Sequence, residues 1–145
     1  MELVFIPKDN IDDVWQMVEN PIKEALSYSG NHHNSEFVLN TLKKGKFQMW
    51  IVWDKDKNTI QEKYNGVCIT EIIQRTLKKV CHIFIMTGKN RQKWQHLVKN
   101  IEDFAKDQQC DQLELIARPG WEKILKQFNY KKTHVVLEKL IEEKK

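Results

Sequence analysis

Apolar residues recur along this chain at two spacings, every second residue and every third or fourth, and the switches between them mark out its elements. Residues 3–6 are a short apolar run closed by Pro7, a first strand. Ile11, Val14, Trp15, Val18, Ile22, Ala25 and Leu26 then follow at helical spacing, with Asn10 placed to cap the helix and Asp12 and Asp13 in its first turn. Pro21 predicts a kink or break near Asn20, because its ring removes a backbone donor. After a polar turn over residues 28–34, Ser35 is placed to cap a second helix over 36–44 that Gly45 closes. Phe47, Met49, Ile51 and Trp53 alternate with Gln48, Trp50 and Val52, a strand that ends in a charged hairpin tip at residues 54–58. Residues 67–74 are rich in β-branched side chains and read as a strand, and 80–86 pairs naturally with it. A polar loop over 87–93 leads into a helix at 94–108, with Trp94, Leu97, Val98, Ile101, Phe104 and Ala105 on one stripe. A strand at 112–117, a short helix at 121–128 and a last strand at 133–141 complete the order. Neither a repeat nor a linker interrupts it. The expectation is an α+β (α/β three-layer) fold around one central sheet, in one domain spanning residues 1–145.

Composition narrows the class. The chain is long enough to bury a sizeable core, and its 41% hydrophobic and 30% charged residues are those of a globular domain. No apolar run approaches the ~20 residues that cross a bilayer, and residues 1–7 have neither a basic leader nor a long apolar stretch. Cys68, Cys81 and Cys110 are odd in number and lack metal-ligand spacing, so reduced thiols in a cytoplasmic protein are expected. The formal net charge of +4 is divided unevenly: residues 1–40 carry −5 and residues 41–145 carry +9. A basic second part can guide an anionic ligand, or simply keep the protein in solution. Nucleic acid is not the expected partner, since no basic stripe follows one helix and no binding motif is present.

The junction after residues 80–86 holds the most chemistry. A strand running into a helix N-terminus presents free backbone N–H groups, which bind phosphate. Here the loop carries Lys89, Arg91 and Lys93 and no acid, which suits a polyanionic cofactor.

The order of elements resembles the GNAT superfamily of N-acetyltransferases over nearly the whole chain. The local match is Phe104-Ala-Lys-Asp-Gln-Gln-Cys-Asp-Gln-Leu-Glu-Leu, similar to the end of that family's cofactor helix and the start of its fifth strand. Ala117-Arg-Pro-Gly and Phe128-Asn-Tyr-Lys-Lys resemble the segments that follow. The resemblance implies a mixed sheet of six to seven strands flanked by about four helices. It also implies acetyl-CoA as cofactor, with the pantetheine between strands 80–86 and 112–117 and the pyrophosphate on the loop Lys89, Asn90, Arg91, Gln92, Lys93, Trp94. A bulge at Phe84, Ile85 and Met86 would supply the backbone donor to the acyl oxygen. Two departures stand out. Asn90, Gln92 and Trp94 occupy positions where the family's loop has close-spaced glycines, and Leu125 falls where it has the Tyr that protonates the thiolate. Trp94 at such a position either blocks the approach or stacks into the helix packing. Short virus-encoded proteins, phage proteins among them, resemble the chain in this altered form, with a pair like Gly120-Trp121.

Acyl transfer to an amine needs a donor to the developing oxyanion, a base for the amine and a proton for the thiolate. Glu71 and His82 are the candidate bases, both in strands that would line the cleft. Glu71 interrupts an apolar run, and the alternative for it is an outward strand position. His82 shares a face with Phe84 and Met86, and the alternative is a packed histidine satisfied by one hydrogen bond. Tyr130 is a substitute proton donor. His32 and His33 fall in the loop that borders the family's acceptor site, or are plain surface residues; no third ligand makes them a metal site. Cys81 and His82 are adjacent in a strand and point to opposite faces, so they do not form a nucleophile–base pair. The five tryptophans default to the core. Two functional readings follow: an acyl-CoA-dependent N-acetyltransferase acting on an unidentified amine, and a catalytically degenerate accessory or binding protein on the same fold.

Overall fold

A computed structural model describes residues 1–28, 33–116 and 119–141. Five strands lie in chain order: β1 Glu2–Ile6, β2 Phe47–Trp53, β3 Tyr64–Gln74, β4 Lys79–Gly88 and β5 Gln112–Leu115. β1 to β4 form an antiparallel meander, and β5 joins β4 in parallel. The helices are α1 Ile11–Ser27, α2 Ser35–Lys43, α3 Ile60–Lys63, α4 Arg91–Trp94, α5 Val98–Asp107 and α6 Pro119–Leu125.

Strand alternation puts one set of apolar side chains on each face of the sheet, and a helix layer covers each set. Ile11, Val18, Ile22 and Leu26 of α1 and Val38 and Leu42 of α2 pack over Met49, Ile51, Val67, Ile69 and Ile85. Val98, Ile101 and Ala105 of α5 and Leu125 of α6 pack over Trp50, Cys68, Cys81 and Ile83. The three layers expected from the sequence are present, with the long crossover between β4 and β5 that parallel strands require.

Several boundaries differ from the pattern reading. The sheet has five strands among the described residues, not six to seven, because residues 130–141 form no strand. The pattern at 133–141 suits a strand, but a strand exists only where its N–H and C=O groups find a ladder partner, and here none is supplied. The four longer helices are the expected ones; α3 and α4 add one turn each. The helix expected at 94–108 is divided into α4, a 3-10 turn at Gln95–Leu97 and α5. Pro21 lies inside α1 without ending it: Val18 and Ile22 on either side are fully buried, and their packing outweighs the one lost hydrogen bond. Asn34, rather than Ser35, caps α2, its Oδ1 accepting from the Phe37 N–H at 2.8 Å. His32 and the Ala117 end of the expected fifth strand lie outside the described residues.

Candidate functional site: the β4–β5 cleft

β4 and β5 run together for four residue pairs, Val80–Gln112 to Ile83–Leu115. There β5 ends, while β4 continues to Gly88. At the same point β4 carries an extra residue. Ile69 pairs with Ile85 and Thr70 with Ile83, so Phe84 has no partner on β3. This is a β-bulge, and it moves Phe84 and Ile85 onto the same, α1-facing side while Met86 returns to the α5 side. The resemblance implied a bulge at Phe84, Ile85 and Met86, and the strand has one there.

The divergence opens a cleft of about 290 Å3, lined by Glu24, Ala25 and Tyr28 of the α1 end, residues 83–87 of β4, and Leu115, Ile116, Pro119 and Trp121. Beyond Leu115, β5 offers β4 no ladder partner, so the bulged backbone meets the cleft. Glu24 and Tyr28 were not singled out from sequence. Glu24 is on the polar side of α1 and Tyr28 caps the end of that helix, and only its docking across β4 brings them here.

The candidate bases lie on one row across the sheet. Phe47, Glu71, His82 and Glu114 are successive register partners on β2, β3, β4 and β5. His82 Nδ1 is 3.1 Å from Glu114 Oε1, a close contact, and an ion pair only when the ring is protonated, that the ring N–H does not point along closely enough for a directed hydrogen bond. Arg75 holds the same carboxylate in a fork, with hydrogen bonds of 2.6 and 2.7 Å. Burial pushes the His82 imidazole below its ordinary value, while Glu114 and Glu71 pull it back up. The hydrogen bond from Arg75 holds Glu114 below the usual carboxylate range. Glu71 has no ion-pair partner among the described residues.

An aromatic wall rises from this row toward the cleft. The His82 and Phe84 rings lie nearly parallel, 6.3 Å apart, and Phe84 packs on Phe47 at 4.7 Å. His33 stacks on Phe37 at 4.7 Å and meets the Phe84 edge at 6.2 Å. The loop expected at the acceptor side therefore reaches the site through His33.

The basic loop is shorter and tighter than its sequence implied. β4 runs on to Gly88, whose φ of 155° and close approach to Asn65 exclude a side chain: a Cβ there would meet the Asn65 carbonyl oxygen at 2.1 Å. Asn90 takes the left-handed conformation (φ 56°), and its side chain donates to Asn65 Oδ1 at 3.0 Å. Lys89 is exposed, and its ammonium donates to the Gln61 carbonyl at 2.6 Å. Trp94 turns inward, 2% exposed, and its Nε1–H donates to the Lys89 carbonyl at 2.7 Å. Its ring lies against Gly66, where a Cβ would meet Trp94 at 3.0 Å. The indole is thus part of the packing and does not line the cleft. The Arg91 guanidinium sits 4.9 Å above the ring of Trp121, a cleft residue, and its buried Nε has no hydrogen-bond partner. Gln92 and Lys93 are exposed on the same turn.

Tyr130 does not reach the cleft. It packs on the α5 side, and its hydroxyl donates to Glu102 at 3.0 Å. Burial and the Glu102 charge push its phenol far up, which opposes a role as substitute acid. Leu125 is in the core. Cys81 and His82 face opposite layers, as alternation requires, and burial raises the Cys81 thiol to about 12.

A four-strand antiparallel meander extended by a parallel fifth strand has clear counterparts among solved structures. The fold is the GNAT fold. A GCN5-related N-acetyltransferase from Ralstonia eutropha matches with a TM-score of 0.68 over 96% of this chain and 97% of its own, at 14% identity. An aminoglycoside acetyltransferase from an uncultured soil metagenomic sample matches at 0.62 over 97% and 96%, with 10% identity. The glucosamine-6-phosphate N-acetyltransferase of Arabidopsis thaliana matches at 0.58 over 74% and 77%, with 12% identity. No protein-family model matches the chain, nor does any curated protein sequence. At these identities the GNAT likeness is one of fold. Among the described residues, no helix is long and apolar enough to cross a membrane, and no cluster of metal-ligating side chains occurs.

Proposed function

We propose that the chain is an acyl-CoA-dependent N-acyltransferase of GNAT type, with acetyl-CoA as its cofactor and an amine as acceptor. The observation that carries this reading is the bulge at Phe84 opening into the β4–β5 cleft; His82 and Glu71 do not line that cleft, and His82 meets it through the ring of Phe84, which does. Acetyl-CoA would supply an activated acyl group on a thiol leaving group. The free edge of β4 fits an extended, amide-bearing arm, because Phe84, Ile85 and Met86 have backbone groups that no strand pairs on the cleft side. Arg91, with an unpartnered buried Nε beside cleft residue Trp121, fits a phosphate, and Lys93, Gln92 and the backbone at Asn90 extend that surface. Lys89 contributes less, since Gln61 holds its ammonium.

His82 is the base in this reading. Burial keeps its imidazole neutral at pH 7. Glu114 beside Nδ1 favours the proton on that nitrogen and leaves the Nε2 lone pair to take a proton from the amine, directly or through water. Glu71, without a counter-cation, attracts the ammonium form of the acceptor toward the row, and the Phe84 and His33 rings offer it an apolar and π surface.

The second reading is a binding or accessory protein, viral in origin, that keeps the fold without turnover. The absence of close-spaced glycines from the loop at residues 89–94 and the core position of Leu125 favour it. Calorimetric titration with acetyl-CoA and with CoA separates the readings at their first step. Micromolar binding supports a working cofactor cleft; no binding at millimolar ligand removes the enzyme reading.

A further inference from the structure

The aromatic wall between the cleft and the His82 row has an uncommitted carboxylate at each end. Glu24, exposed near the end of α1, lines the cleft together with Phe84. Glu71, half-buried on β3, lies between Phe47 and His82 as the register partner of both. Neither carboxylate has an ion-pair partner among the described residues. Phe84 stands between them, since it lines the cleft with Glu24 and lies parallel to the ring of His82, the residue opposite Glu71. His33 is exposed, meets the Phe84 edge and stacks on Phe37, so the ring surface is continuous and open to solvent. Rings flanked by carboxylates attract an alkylammonium, whose methylenes cover the ring faces while its charge meets the carboxylate. A single ammonium leaves one carboxylate unmatched; two joined by an alkyl stem match both. A phosphate finds no such match in the row, because both oxygens of Glu114 already hold the Arg75 guanidinium. The charge of the whole chain agrees. Residues 1–40, which supply α1 and the start of α2, carry −5, and residues 41–145, which include the basic turn at Lys89–Lys93, carry +9. Such a division draws a cation to the α1 side of the cleft and an anion to the other.

We propose that the acceptor is an unbranched alkyl diamine or polyamine, with one ammonium held by Glu24, another by Glu71, and its methylene stem across the rings of Phe84 and His33. As an acceptor assignment this rests on the acyltransferase reading; the binding it requires does not. On transfer the N–C bond forms at one nitrogen, the thioester C–S bond breaks, and the amine proton ends on the thiol. The acylated nitrogen is then a neutral amide. The product keeps one charge and one carboxylate contact, so it binds as a monoamine does and leaves more readily than the diamine.

The test is calorimetric titration of the full chain, without cofactor, with straight-chain diamines of increasing length, the monoamine of each length, and glucosamine 6-phosphate. The expected result is an optimum diamine that binds ~5-fold or more tighter than its monoamine, as one further exposed ion pair allows, with an advantage that shrinks as salt is added. Glu24→Gln and Glu71→Gln should each remove that advantage, with folding checked by thermal unfolding. Glu19→Gln, on α1 but paired with Lys23, should keep it. A diamine no tighter than its monoamine at any length, an advantage that survives both Glu24→Gln and Glu71→Gln, glucosamine 6-phosphate bound as tightly as the best diamine, or no amine binding at millimolar concentration overturns the proposal. Acetyl-CoA turnover assays with the same amines keep the two claims apart. Selective diamine binding without transfer removes the acyltransferase reading and leaves a diamine-binding site. Transfer to monoamines as fast as to diamines keeps the acyltransferase reading and overturns the diamine as its acceptor.

Discussion

His82 on β4 and Glu114 on β5 are register partners across the parallel pair, with Nδ1 and Oε1 3.1 Å apart, and Arg75 holds the far side of the same carboxylate. The contact opposes the effect of burial on the candidate base without overcoming it. It links a histidine that burial would leave neutral to a carboxylate that Arg75 keeps ionised.

A pH dependence follows with a definite sign. Folding holds His82 below its ordinary 6.5, so as pH falls the unfolded chain takes up this proton first. His82 therefore leaves stability undisturbed above pH 6.5 and penalises the fold progressively below it. In an active enzyme, the acid limb of kcat/KM should lie below 6.5 for the same reason. Glu114→Gln removes a charge that holds the imidazole up and should move that limb to lower pH. A pH–rate profile that does not move would separate Glu114 from the chemistry.

Trp94 should behave as a core residue. Trp94→Ala leaves a cavity against Gly66 and breaks the hydrogen bond to Lys89, so it should cost about 3–5 kcal/mol in denaturant unfolding. A loss under about 1 kcal/mol would mean that the indole is a loop cover rather than packing.

The phosphate side of the cleft can be tested apart from chemistry. Replacing Arg91 and Lys93 together by Ala should weaken acetyl-CoA binding ~10-fold or more, because charge-assisted contacts contribute ~1.5–3 kcal/mol each. Thermal stability should fall only modestly, through the lost contact of Arg91 with Trp121, since Lys93 is exposed. Unchanged affinity would leave the basic turn as solvated surface.

Much of the fold was legible because each sheet face is covered by a helix and the alternation had to show it. β2 and β4 read directly as period-two runs, and the stripe from Val98 to Ala105 as a helix face. Residues 133–141 show the limit of that reading: their pattern is a strand pattern, but a ladder partner is not a property of the segment. Capping by Asn34 instead of Ser35 was a choice between neighbours that only local geometry makes. The candidate site was legible only in part. His82 and Glu71 stood out as polar breaks in apolar strands. Glu114, in an equally apolar Leu-Glu-Leu, drew no notice as a partner, because its pairing with His82 depends on the register set by the crossover through α4 and α5. The inward turn of Trp94 depends on Gly66, a residue 28 positions earlier in the chain.

The central claim is that this cleft still performs acyl transfer with His82 as base. Its most direct test is thiol release from acetyl-CoA with a panel of small amines and peptides, run on wild type, His82→Ala and Glu71→Gln, with cofactor affinity measured on each protein. The account predicts slow but measurable turnover in the wild type, since Leu125 replaces the usual acid. It predicts a fall of ~10²-fold or more in His82→Ala, reduced turnover in Glu71→Gln, and nearly unchanged acetyl-CoA affinity in both. Micromolar acetyl-CoA binding with no acceptor ever acetylated, or turnover that survives intact in His82→Ala, would contradict it.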